Sequence, residues 1–432
     1  MIRFITIILF FFLIGCSFTK TSFWTQDEKI KVIKKNRYNI FNEKEISKKE
    51  FNQNFKINLK KPLNNFNPKD ESLANIIRVA NYNNEIKKTS KFKFSKIDDF
   101  DYFEPELSFD GKNFIFFDDK GTIFKFDNNF NLIWKKNFYS KQEKKLKPIL
   151  TFANEGNLLI VLDNIAKFYA ININTGDLVW SKINSNPVNS QVKINDNKIF
   201  SIDLNNILRC FSIKDGSEIW QFKSENTFLK STKRNSLIIM KDRIYINNSL
   251  GDISAIDIND GALLWQVPTQ TSEIYENAFS LVMSDIVAKK DNLIFSNNRN
   301  EFFSINVMNG VVNWKQEINS SVRPIFYNNL IFTLSDEGFF YIIDSKTGNI
   351  IKITNIFSTF KKKERNKTKP VGFIATQNKL LVSTNRGKLL IIDIKAGKSE
   401  KILKIDNEKI SRPFLFGNKI LLVTNNSIIK LN

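Results

Sequence analysis

The chain has 432 residues, 42% hydrophobic and 13% aromatic with 41 Phe, and carries a formal net charge of +21 without a single His. This is ample material for a large core rich in strand-forming residues, and the lack of His excludes Ser-His hydrolases, His-metal sites and the commonest general base. The lysines are spread along the chain among Asn, Ile and Phe, as a compositional bias would place them, and with no RNA-binding or helix-turn-helix motif the charge predicts no nucleic-acid partner.

At the N-terminus Arg3 opens a short basic region, residues 4–14 are almost wholly apolar, and Leu13-Ile14-Gly15-Cys16 follows. The apolar run is too short for a membrane span and has the charge order of an export signal, so 1–15 is predicted to be a removable lipoprotein signal peptide. Leu-x-Gly-Cys at its end resembles the bacterial lipobox. That resemblance implies that Cys16 becomes the lipidated first residue, carrying acyl chains such as palmitate. Ser17 rather than Asp after it points, by resemblance to lipoprotein sorting, to the outer membrane. Acyl chains hold a protein at a bilayer without a spanning helix. With Cys16 acylated, Cys210 has no intrachain disulfide partner.

Residues 16–90 are rich in Lys, Asn, Glu and Ser, with a short amphipathic stretch around 29–40 as their only sustained pattern. They are predicted to be a mostly flexible basic tether. The alternating stretch 91–97 (KFKFSKI) is then predicted to be a strand.

From there to the C-terminus the chain repeats one phrase: an apolar strand, an Asp, Asn or Ser, a short linker, Gly, and four residues later Trp. The Trp place falls at Trp134, Trp180, Trp220, Trp265 and Trp314, then at Lys352 and Lys401, about 44.5 residues apart on average. The glycines are Gly176, Gly216, Gly261, Gly310, Gly348 and Gly397. A period in the forties with strand-like phrasing predicts a β-propeller, and the Gly supplies a tight turn at positive φ. Ten residues before Trp180, Trp220, Trp265 and Trp314 stand the small residues Ala170, Cys210, Ala255 and Ser304, whereas Ile342 and Ile391 precede the two lysines. This predicts a slot beside each small residue that the indole fills, and assigns Cys210 to packing.

Second and third strands can each be found eight times, but a fourth follows a third only seven times before the chain ends. The predicted fold is therefore all-β, an eight-bladed β-propeller of four-stranded antiparallel blades over 91–432. The strand at 91–97 pairs with the last three and removes the open edges. The longest connections, about 224–235, 269–280 and 355–370, run from a fourth strand to the next first strand, and place the predicted binding surface on one face. The run 361–369 in the last of these is strongly basic, suiting a solvated loop or an anionic partner.

No P-loop or dinucleotide glycine fingerprint stands out, and Asp257, Asp344 and Asp393 recur at the place before the turn, where a hydrogen bond to backbone explains them. The phrase Ala-x-Asp-x-x-x-Gly-x-x-x-Trp resembles the tryptophan-docking repeat of quinoprotein propellers. Two families carry it. Pyrroloquinoline-quinone dehydrogenases typically add a vicinal Cys pair and a carboxylate-rich calcium site, and this chain has no adjacent cysteines. Over 90–432, together with the lipobox, the chain resembles the BamB family of outer-membrane protein assembly factors, lipoproteins with an eight-bladed propeller and no cofactor.

That resemblance implies a non-enzymatic scaffold of the β-barrel assembly machinery, lipid-anchored at the periplasmic face of the outer membrane. Its partners would be the POTRA domains of BamA, other assembly components and unfolded outer-membrane proteins. The family's partner-binding loop carries Leu-x-Leu-Arg; the matching stretch here is Thr227-Phe228-Leu229-Lys230, which keeps one Leu and a basic residue, and local loop packing is its other reading. A second family loop carries Asp-x-Asp, absent from Ser280-Leu281-Val282. The alternatives are a quinone-dependent periplasmic dehydrogenase and a propeller lipoprotein that binds cell-envelope polymers.

Overall fold

The computed structural model describes residues 49–60, 68–79, 86–101, 105–224, 233–269 and 281–431. These form eight separate four-stranded antiparallel sheets. Seven are consecutive meanders at 108–136, 150–183, 193–223, 237–267, 287–316, 325–355 and 370–404, here blades 1 to 7; blade 8 joins 414–431 to 88–93. First strands of successive blades touch from blade 1 through blade 5, which places them around the axis. Fourth strands such as Leu178–Ile183 lie largely exposed at the rim.

Second and third strands have a neighbouring blade against each face. Leu158–Asp163 and Lys167–Asn172 are accordingly buried along most of their length on both faces, and such strands read as continuous apolar runs. The cores lie between blades: Tyr245 and Ala255 of blade 4 pack with Leu293, Phe295 and Ile305 of blade 5.

The ring closes as the strand count requires. Lys88–Lys93 runs antiparallel to Ser427–Leu431, with Lys91 opposite Ile429 and Lys93 opposite Ser427. The strand starts three residues before the expected 91 and leaves the ladder at 93. Beyond it, Phe94 N still donates to Asn426 O at 3.0 Å and Ile97 N to Asn425 O at 2.7 Å, so 94–97 follow the turn rather than the strand.

The repeated phrase acts between blades. Trp180 faces Ala170 directly across the ladder, and Trp220, Trp265 and Trp314 face Cys210, Ala255 and Ser304 in the same way. The surface each indole lies against, however, is the turn glycine of the following blade: Trp134 on Gly176, Trp180 on Gly216, Trp220 on Gly261, Trp265 on Gly310 and Trp314 on Gly348. Four of the five indole N–H groups also donate to a carbonyl of that turn, at Ile173, Ile213, Val307 and Ser345. The slot predicted beside the small residue is thus completed by the next blade.

The exceptions follow from the same rule. Lys352 Nζ donates to Lys395 O in the turn of blade 7 at 2.8 Å, doing the work of an indole N–H. Lys401 belongs to blade 7, and in blade 8 the fourth strand is Lys88–Lys93 rather than a continuation of the third, so no third-to-fourth glycine turn is there to receive an indole. Within each turn the repeated polar residue accepts from the backbone ahead: Asn172 Oδ1 from Asn174 N, Asp257 Oδ1 from Asn259 N, Asp344 Oδ1 from Lys346 and Thr347 N, Asp393 Oδ1 from Ala396 N. The glycine N–H closes back on the same residue's carbonyl, as Gly176 on Asn172 at 2.8 Å.

Part of the stretch expected as a flexible tether is bound to the ring. Phe51 makes an antiparallel bridge to Ile353 on the outer strand of blade 6, with N to O distances of 3.1 and 3.0 Å. Lys352 Nζ then donates to Phe55 O and Asn328 Nδ2 to Lys60 O. Ile57 and Val79 enter the core between blades 6 and 7. Apolar side chains spaced through a polar sequence give the chain docking points that no periodicity announces.

Gly261 sits at φ +79°, and a Cβ there would meet Trp220 Cε3 at 2.6 Å; Gly156 sits at φ +55° with nothing within 4 Å of its Cβ position. Gly156→Ala carries only the backbone cost and should lower the unfolding free energy by about 1 kcal/mol. Gly261→Ala adds overpacking against the indole and should cost about 3 kcal/mol, measured by chemical denaturation. Equal losses in the two variants would show that the Trp contact does not constrain the turn.

Candidate functional site

The channel along the axis is occupied from one face by the chain itself. The short helix Pro68–Leu73 ends in Ala74 and Asn75, and Asn75 takes the left-handed conformation at φ 57°, which Asn tolerates better than most residues. This turns its side chain into the ring. Asn75 Nδ2 donates to Gln191 Oε1 at 2.8 Å, Ser236 Oγ at 3.3 Å and Ile286 O at 3.0 Å, reaching blades 3, 4 and 5 at once. Lys193 Nζ donates to Ser72 O at 2.6 Å and Asn75 Oδ1 at 2.8 Å, and Ala288 N to Ala74 O. Lys69 pairs with Glu155 at the end of the first strand of blade 2. With residues 49–60, this segment covers the side of the first-to-second and third-to-fourth turns.

Toward the opposite face, where the long connections lie, charged residues stand two or three places before several first strands. Arg234, Arg323 and Arg412 all direct Nη2 at Glu106 Oε1, at 2.8, 2.8 and 2.9 Å. Arg323 Nε also donates to Asp285 Oδ2 at 2.7 Å. One carboxylate of blade 1 thus ties blades 4, 6 and 8 together across the axis. Burial pushes the Glu106 carboxyl up, but the three guanidinium groups outweigh it and hold the group well below the usual carboxylate range. Asp285 is likewise lowered, with Arg323 the main opponent of burial. Burial brings Lys193 down to about 7, against the pull of Glu106.

Chemically this is a brace. A general acid or base needs a pKa near the working pH, whereas both carboxylates are held ionised and paired. Lys193 does lie in that range, but its nitrogen is held by Ser72 O and Asn75 Oδ1. Among the described residues no group of three or more His, Cys, Asp or Glu is placed to hold a metal ion. Cys210 is buried opposite Trp220, and burial pushes its thiol up to about 12, which leaves it inert.

Of the residues singled out in the sequence, Cys16 and the loop residues Thr227, Phe228, Leu229 and Lys230 lie outside the described residues. Leu281 does not face solvent: it is buried with Met283 between blades 4 and 5. Asp285, a few residues further on, belongs to the brace through Arg323. The basic run 361–369 folds onto blade 7 through the short helix Lys362–Arg365, where Glu364 pairs with Lys388 and Thr368 Oγ1 donates to Glu364 O. The brace itself is not visible in the repeat pattern. Its signal is a charged residue recurring just ahead of the first strands, at Glu106, Arg234, Asp285, Arg323 and Arg412.

The family model described as outer membrane protein assembly factor BamB matches residues 119–354. The outer membrane protein assembly factor BamB of Moranella endobia (strain PCIT) is 23% identical over 273 residues, which are 63% of this chain and 68% of the relative. Among solved structures, BamB from Moraxella catarrhalis matches with a TM-score of 0.65 at 13% identity, covering 81% of this chain and 100% of that one. Quinohemoprotein alcohol dehydrogenase from Comamonas testosteroni matches with a TM-score of 0.59 at 10% identity, covering 80% of this chain and 76% of its own. At these identities the structural matches speak for the fold alone.

A carboxylate whose folded pKa lies below its unfolded value contributes stability that is complete above the unfolded pKa and is lost as pH falls through the folded one. For Glu106 the unfolded reference is 4.5. Stability should therefore fall as pH drops below about 4.5, and Glu106→Gln should flatten that acid slope. The same variant should cost roughly 3 kcal/mol at neutral pH by removing the carboxylate that three guanidinium groups share, although Arg323 keeps Asp285. Urea titrations of both proteins across this range check it; an unchanged slope would count against the brace.

Proposed function

Because the chain belongs to the family of outer membrane protein assembly factor BamB, we propose that it is a non-enzymatic scaffold of the β-barrel assembly machinery. In this role it binds the POTRA domains of a BamA-like protein while outer-membrane barrels are folded and inserted. The observation that carries the reading is the unequal treatment of the two faces. The chain's own residues 49–60 and 68–79 cover one, while on the other the described ends of the blade-to-blade connections carry the charged brace. A rigid ring that displays loops suits a binding protein, since docking then orders little of the scaffold.

The proposed contacts are Phe228 and Leu229 as apolar anchors with Thr227 and Lys230 beside them, in the loop that leads into Arg234. Anchoring is proposed through acyl chains on Cys16, at the periplasmic face of the outer membrane. The competing reading, a quinone-dependent dehydrogenase, shares the propeller fold. Against it stand the absence of adjacent cysteines, the occupied channel and the paired state of Glu106 and Asp285.

Leu229→Asp combined with Lys230→Glu should leave the unfolding midpoint unchanged and reduce co-purification with the BamA-like partner by about tenfold or more, the effect of losing one anchor. Full recovery would remove this loop from the interface, and a chromophore absorbing in the near ultraviolet in the purified protein would favour the dehydrogenase. Cys16→Ser should move the protein from the membrane to the soluble fraction; retention on the membrane would exclude lipid as the anchor.

A further inference from the structure

Between blades 6 and 7, on the face of the long connections, lies a cleft of about 510 Å³. This is within the range of small-ligand sites, roughly 300–1,000 Å³. Blade 6 and the connection leading into it supply Asn319, Asp336 and Glu337; the connection that follows blade 6 supplies Arg365 and Lys369, and Phe339 gives an apolar patch. Two carboxylates and two cations thus line one cleft from separate segments. They do not neutralise one another by contact. Neither Arg365 nor Lys369 forms an ion pair with Asp336 or Glu337, although Lys369 lies near enough to act on Asp336 through space.

Partners are missing on the acidic side. Glu337 Oε1 accepts from Asn319 Nδ2 at 2.6 Å, but Glu337 Oε2 and Asn319 Oδ1 are both buried without a donor. Buried acceptors left open are costly and are normally filled. Asp336 is partly satisfied by Ser321 Oγ at 2.8 Å, and burial raises its carboxyl nonetheless. The basic side is open as well, since the Arg365 guanidinium and the Lys369 ammonium have no partner among the described residues.

We propose that this cleft binds a short peptide zwitterion, its ammonium on Glu337 Oε2 and Asn319 Oδ1 and its carboxylate on Arg365 and Lys369. A simple anion entering here would face two carboxylates, and a simple cation would face Arg365 and Lys369. A metal ion would meet the same two cations, and no group of three or more His, Cys, Asp or Glu gathers among the described residues. A molecule with both charges satisfies both sides, and Arg365 offers the planar fork that suits a carboxylate. The basic run 361–369 thereby acquires a binding role, since its C-terminal half forms one wall of the cleft.

Calorimetric titration of the full chain with trialanine, N-acetyl-trialanine and trialanine amide tests this independently of any assembly partner. Trialanine should bind with a Kd below about 1 mM, and blocking either end should weaken binding by about tenfold or more. Glu337→Gln should lower affinity for trialanine and for its amide, and leave the already weak N-acetyl peptide unchanged. Arg365→Gln should do the converse, sparing the amide. Both residues line the cleft, and both variants are checked for an unchanged unfolding midpoint. Equal binding of all three peptides, or no heat from trialanine at about 10 mM, overturns the proposal whatever the variants show.

Discussion

Everything in this molecule depends on a side chain of one blade lying on the turn of the next. An indole on a glycine fixes how far apart successive blades stand, and in four of the five its N–H tethers the same turn, so that those contacts set both a distance and an angle. It repeats from Trp134 to Trp314 and so links blades 1 to 6 in series. Only then can Glu106 reach arginines carried by blades 4, 6 and 8. Contacts at the rim and the brace at the axis hold the ring at its two radii, and the interblade cores fill the space between.

The N-terminal segment deepens the difference between the two faces. The blades alone already put tight turns on one face and the blade-to-blade connections on the other; Asn75 adds to this by bonding to three blades from the side of the tight turns. Segment 49–60 also pairs with the outer strand of blade 6, covering part of an edge that would otherwise present free backbone groups. A stretch that carries no repeat of its own therefore decides the orientation in which the ring can be approached.

The ring and its closure are legible in the sequence because they are written in period. Strands flanked on both sides by other blades must be apolar throughout, turns at positive φ need Gly, and the strand deficit at the C-terminus points back to the residues before blade 1. What the sequence could not show is geometry built from single residues far apart. The brace uses Glu, Arg, Asp, Arg and Arg at roughly equivalent places, so the sign of the charge changes from blade to blade and the spacing from the strand shifts by one at Arg234. Ile57, Leu73, Asn75 and Val79 dock on surfaces that exist only once the blades have assembled. Lys352 reads as the loss of a Trp, and only its bond to Lys395 shows that the hydrogen bond outlived the indole.

The pairing of Lys88–Lys93 with Ser427–Leu431 also has a meaning in time. Synthesis proceeds from the N-terminus, so the first propeller strand to be made has no sheet to join until the last residues of the chain exist. Blades 1 to 7 can form as local hairpins, whereas the eighth requires the longest-range contact in the ring, the kind that slows folding. Until the final strand arrives, both ends of the arc expose unpaired edges, and a chain cut a few residues short would keep them exposed for good.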